Sequence, residues 1–167
     1  MSLNNVHFSQ VIPCTAMHFV TGTWTDAAGA VTDTICKHKA AGANSPVINV
    51  PITLPSNSIP MTGAFLKSIE FDYELLLAGA TSVTAVLNKV TRGADTAVAV
   101  VTTPAITQDL AAGVAAASQE QHKLTVTLTT PEWIDNDVYF LLEVTMVCGG
   151  TVTVDVLAAV ANFTLRA

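Results

Sequence analysis

The sequence predicts an all-β protein, an antiparallel two-sheet β-sandwich of eight or nine strands, with a jelly roll as the favoured topology. Segments such as Ser68-Ile69-Glu70-Phe71-Asp72-Tyr73-Glu74-Leu75 and Lys123-Leu124-Thr125-Val126-Thr127-Leu128-Thr129 alternate in polarity residue by residue. That alternation gives a strand one apolar face and one polar face. Turn-forming residues punctuate the chain at short intervals, and no amphipathic stripe has the length of a crossover helix. An immunoglobulin-like arrangement of two sheets is the second topology that strand lengths allow.

The chain has 167 residues, enough to bury one sizeable core. It divides into an extended N-terminal arm, 1–16, and a single sandwich domain, 17–167. Half of the residues are apolar and only 12% are charged, against about a quarter in ordinary soluble domains. Too few charges remain to coat an isolated sphere, so part of the surface is expected to meet another subunit.

In chain order, the apolar positions ending in Phe19-Val20-Thr21-Gly22-Thr23-Trp24 read as a first strand near 17–25. A turn at Asp26-Ala27-Ala28-Gly29 leads to a second strand over about 30–37. Lys37-His38-Lys39, the one compact basic tripeptide, opens a loop to Pro46. Val47-Ile48-Asn49-Val50-Pro51-Ile52-Thr53-Leu54-Pro55 is strand-like, but its prolines suit an edge or an extended connection.

Residues 64–77 form the clearest strand, with Ile69, Phe71, Tyr73 and Leu75 on one face and Glu70, Asp72 and Glu74 on the other. Strands at 82–90 and 96–103 follow, joined by a hairpin turn at Arg92-Gly93-Ala94-Asp95. This pair is apolar on both faces in places, which suits the middle of a sandwich or a subunit contact. The alanine-rich stretch 104–120 reads as a loop with one or two helical turns. Strands then recur at 121–130, ended by Pro131, at 138–147, at 151–157 and at 159–165, with Gly149-Gly150 as a hairpin turn. Glu143 interrupts an apolar strand, so one face there meets a polar opening or a subunit boundary.

No residue set points to catalysis, and no cofactor is expected. Glu70, Asp72 and Glu74 stand about 7 Å apart by strand geometry, a spacing that an inverting carboxylate pair or a cation could use. A solvated strand face accounts for them without either. Asp135-Asn136-Asp137 lacks the glycine and glutamate of a calcium loop and reads as an Asx turn. Four histidines and Cys14, Cys36 and Cys148 show no metal-ligand spacing, and the thiols are expected to be free and buried. Cys36 and His38 would share a strand face, but no orienting group is visible for them.

A formal charge of −6 without a basic cluster gives no footprint for nucleic acid or anionic membrane. The first residues show no secretory leader, so cytoplasmic synthesis is expected. Residues assigned to contact or binding are Trp24, Lys37, Lys39, Val50, Glu70, Asp72, Glu74 and Trp133. The segments expected to make contacts are the arm 1–16, the proline-flanked strand 46–55 and the loop 104–120.

In its stiff β-domain, low charge and extended arm, the chain resembles the small jelly-roll or β-sandwich proteins of tailed-phage virions that decorate or cement a capsid or join parts of a tail. The resemblance spans roughly residues 15–167 in architecture and carries over no functional residue. It implies a non-enzymatic structural subunit, assembled in the host cytoplasm into the virion. Its partners would be copies of itself, in a cyclic trimer or larger ring, and a capsid or tail lattice. The alternatives are a carbohydrate- or receptor-binding sandwich using Trp24, Trp133 and Tyr139, a cupin-like metal-dependent enzyme, and a self-assembling filament protein.

Overall fold

The computed structural model describes residues 6–28, 35–42, 45–54, 64–76, 79–93, 98–109, 118–135 and 137–165. They hold twelve strands: β1 (Val6–Pro13), β2 (His18–Phe19), β3 (Trp24–Ala28), β4 (Ile35–Lys39), β5 (Val47–Ile52), β6 (Ala64–Leu76), β7 (Ser82–Thr91), β8 (Val100–Thr102), β9 (Ile106–Gln108), β10 (Ser118–Ile134), β11 (Val138–Val147) and β12 (Thr153–Leu165). No helix among these residues is long and apolar enough to cross a membrane.

Seven strands form one antiparallel sheet in the order β3-β4-β12-β6-β10-β9, with β1 also on β12, and five form the other, β2-β5-β11-β7-β8. With the accessory strands β1, β2, β3 and β9 set aside, eight remain. Numbered in chain order, they lie first-eighth-third-sixth in one sheet and second-seventh-fourth-fifth in the other. That order is a jelly roll, which decides between the two topologies that strand length left open.

The core lies between the sheets. Ile69, Phe71, Tyr73 and Leu75 from β6 are fully buried, as the alternation requires, and face Ile48, Val50 and Ile52 of β5 and Phe140, Leu142 and Val144 of β11. Burial raises the Tyr73 phenol above its ordinary range. All three cysteines are buried and none is in a disulfide.

Several elements differ from expectation, each for a local reason. Residues 6–13 of the arm are extended, but they pair along Ala158–Leu165 of the same chain. Phe8 stacks on Phe163 at 4.9 Å, and Ile12 is buried. The strand expected over 17–25 breaks at Gly22, whose φ of 95° suits glycine, so that β2 and β3 join different sheets. A side chain there would also meet Trp24 Nε1 at 3.3 Å.

Pro51 lies inside the five-stranded sheet. Met146 N–H donates to Pro46 O, and in the shared register even-numbered β5 residues therefore bond β11. Pro51 directs its missing donor the other way, where β2 no longer reaches. Pro131 does not end its strand; it falls in a register shift between Thr127 and Glu132, so β10 continues to Ile134. The two C-terminal strands are one, β12, with an irregularity between Val156 and Ala158. Gly149-Gly150 turns the chain from one sheet to the other, not within a hairpin. In the stretch read as a loop, 106–108 is strand and β10 begins at Ser118, while 110–117 lies outside the described residues, as do Gly29, Ala94, Asp95 and Asn136.

Candidate interaction face

The residues assigned to contact are not gathered on one surface. Val50 is fully buried because the β5 pattern alternates inward at Ile48, Val50 and Ile52. Lys39 is also buried: its cross-strand partner Val154, and Leu75 beyond it in the same row, face the core. Its Nζ donates to the carbonyls of Ala40 and Gly42 at 3.2 and 3.3 Å. Lys37-His38-Lys39 is thus part of β4, where Lys37 pairs with Asp26, and not a solvated turn.

The acidic row occupies the outer face of the seven-stranded sheet without being uniformly solvated. Lys123 Nζ lies 2.5 Å from Glu70 and next to Asp72, and the Glu70 hydrogen bond and charge raise the lysine's pKa. Glu74, at the end of the row, is buried opposite Asp155 of β12, which is buried as well. His38 sits on the other side of Asp155 and holds its carboxylate through Nδ1 at 2.5 Å.

Asp155 is thus the orienting group that the sequence did not reveal for the Cys36 and His38 pair. The dyad lacks a competent thiol. Burial first, and then the nearby charges of Asp155, Cys14 and Glu74, push the Cys36 thiol up to about 12. It stays protonated at neutral pH. Among the described residues no three of His, Cys, Asp and Glu form a metal-holding group.

Trp24 and Trp133 lie at opposite ends of the sandwich. Through Lys39 and Val154, Trp24 is level with Leu75 of β6, whereas Trp133 pairs with Phe65. Ten strand residues separate those levels, about 33 Å, so the two indoles cannot line one site. Each is held locally: Trp24 packs on Phe19 at 4.5 Å, and Trp133 meets Phe65 edge-on at 4.9 Å. Trp133 Nε1 donates to Asp135, whose other oxygen accepts from Asp137 N–H at 3.0 Å, which is an Asx turn.

A different surface stands out, the outer face of the five-stranded sheet. The register lays its side chains in rows: Tyr139, Val90 and Val101; Pro51, Leu141 and Asn88; His18, Asn49, Glu143 and Val86; Val47, Thr145 and Thr84. Glu143 is the only acid in these rows, and there is no lysine or arginine. Asn49 Oδ1, beside Glu143, is buried with no protein hydrogen-bond partner among the described residues. The strand spacings give the face roughly 400–500 Å².

At the margin of this face β8 is exposed at every residue, and Val98, Val100 and Val101 are 87%, 59% and 59% exposed. Among the described residues no strand lies beyond it. The sequence had flagged this region through the double-sided apolar character of 82–90 and 96–103 and through the isolated Glu143. It missed the face itself because strand order, not alternation, decides which rows adjoin.

No protein-family model matches the chain, and no curated protein does. Among solved structures it is similar to the Clostridium thermocellum endo-1,4-beta-D-xylanase 10B CBM22-1-GH10 modules complexed with xylohexaose, at 12% identity and a TM-score of 0.46, covering 100% of this chain and 29% of that one. It is also similar to TmCBM61 in complex with beta-1,4-galactotriose, at 10% identity and a TM-score of 0.41, over 95% and 88% of the two chains. Arabinose-bound MgGH51 α-L-arabinofuranosidase is a third, at 12% identity and a TM-score of 0.43, over 96% of this chain and 26% of that one.

Proposed function

We propose that the chain is a non-enzymatic structural subunit that self-associates, and that it serves in a virion as a decoration, cement or minor structural protein. The observation that carries the self-association is the outer face of the five-stranded sheet, whose rows from Tyr139 to Thr145 hold a single acid and no lysine or arginine, with an exposed valine margin. Charge depletion of this kind marks the centre of protein interfaces. The virion setting follows from the resemblance in architecture.

Light scattering of the purified protein over a broad concentration range tests the association. A discrete oligomer that dissociates on dilution is expected, and Leu141→Glu, which places a second charge next to Glu143, should shift the mass toward monomer with an unchanged melting midpoint. A wild-type protein that stays monomeric throughout contradicts the reading. Mass spectrometry of purified particles tests the virion setting, and absence from them removes it.

A second reading, a carbohydrate- or receptor-binding module, is favoured by the buried, unpartnered Asn49 Oδ1 beside Glu143, with Tyr139 on the same face. Polar groups converging on an apolar surface suit a small ligand. Titration calorimetry with soluble oligosaccharides tests it: heat that Asn49→Ala abolishes supports it, and no heat with any of them counts against it.

A further inference from the structure

We propose that β8 pairs antiparallel with β8 of a second copy of this chain, about a two-fold axis at Val101, so that the two five-stranded sheets become continuous. This adds an edge contact to the proposed self-association through the outer face and rests on that reading.

The free edge can be read from the hydrogen-bond parity of β7. Arg92 N–H donates to Asp137 O on the β11 side, whereas Ala85 N–H and C=O both point the other way. Even-numbered β7 residues therefore bond β11, and Lys89 and Thr91 bond Thr102 and Val100 of β8. Val101, between these two, directs its own N–H and C=O away from β7, and the same alternation carries Ala99 and Thr103 with it.

The side chains say what covers this edge. Val101 shares the outer face with Val90, and Val100 projects to the opposite face, yet Val100 and Val101 are both more than half exposed, as is Val98. A partner lying over the outer face would cover Val101 alone. Only an occupant in the plane of the sheet, a strand, shields both sets at once.

Native edges are guarded by charge, proline or a plug. Here β3 carries Asp26, β1 carries Pro13, β5 turns Pro51 toward its open side, and Gln108 covers β7 at Ala85. The stretch Val98–Thr103 has none of these. It is also its own complement. A two-fold at Val101 sets Ala99 opposite Thr103 and Val100 opposite Thr102, forms about six main-chain hydrogen bonds, and brings no charge against its like. A strand contact this short is small beside the roughly 800 Å² per partner of a standard interface, so association is expected to depend on concentration.

The test is native mass by sedimentation over a concentration series for the wild type, Val101→Pro, Val101→Lys and Leu141→Glu, with circular dichroism on each. Proline at Val101 removes only the outward N–H and spares the β7 ladder; Val101→Lys gives the same answer should the proline variant fail to fold. Both are expected to stay folded with the dissociation constant raised about a hundredfold. If both keep the wild-type mass, the β8 pairing is wrong, and dissociation by Leu141→Glu would still uphold self-association. A wild type that is monomeric at every concentration overturns both.

Discussion

The side-chain amide of Gln108 makes the two hydrogen bonds to Ala85 that a neighbouring strand would make: Oε1 accepts from Ala85 N–H at 2.8 Å, and Nε2 donates to Ala85 C=O at 2.6 Å. β8 covers β7 only from Lys89 to Thr91, so without the amide the middle of β7 would present bare backbone. Gln108→Leu keeps the volume and removes both bonds. It is expected to lower unfolding free energy by about 1–2 kcal/mol and to increase turbidity on standing. Urea denaturation and light scattering check this; a variant matching the wild type in both would end the plug assignment.

Asp155 is the hub of the outer face of the seven-stranded sheet, buried with His38 on one side and Glu74 on the other. His38 is partly exposed, so Asp155→Ala, which takes away its acceptor, should cost about 1–2 kcal/mol. Asp155→Asn should cost less, because its amide oxygen still accepts from His38 Nδ1–H. Equal losses in urea melts would mean that the hydrogen bond to His38 contributes nothing.

Cys36 gives the protein an alkaline dependence of defined sign. The thiol rises from 9.0 to about 12 on folding, through burial and then the neighbouring acids. Between those values the unfolded chain has lost a proton that the folded one keeps. Its contribution to stability is therefore complete below pH 9.0 and is lost as pH climbs toward about 12. Unfolding free energies measured through that window should fall less steeply for Cys36→Ala than for the wild type. An identical slope would exclude the thiol as a source.

The N-terminal segment is part of the fold. With Ile12 buried and Phe8 stacked on Phe163, Ile12→Ala should cost about 3 kcal/mol. Deletion of residues 2–12 should lower the melting midpoint by exposing one side of β12. A deletion variant with the wild-type midpoint but a smaller native mass would instead make the segment a clasp between copies.

The sequence carried β6, where one face is apolar and the other polar, through alternation alone, and it carried β7 and β11 as apolar runs bounded by turn residues. It lost the position of β4, whose Lys37-His38-Lys39 resembles a surface turn. Lys39 is held by the adjacent carbonyls of Ala40 and Gly42, but Lys37 meets Asp26 across a strand pair and His38 meets Asp155 from the far end of the chain. The same limit applied to the candidate contacts. Val50 and Glu74 could be assigned to a strand face, but burial depends on what the fold lays over that face. Glu143 was legible as an anomaly, and its neighbours Asn49 and Val86 became known only from the register.

The seat of β12 between β6 and the strands β4 and β1 sets an order on folding. β12 is synthesised after every strand that it joins, so β1 and β4 emerge from the ribosome long before their partner exists. Until it arrives, β1, one side of β4 and one side of β6 have no partner, and the long loop closures that join them wait for β12. The seven-stranded sheet is therefore late and slow to close, with exposed edges in need of protection while it waits.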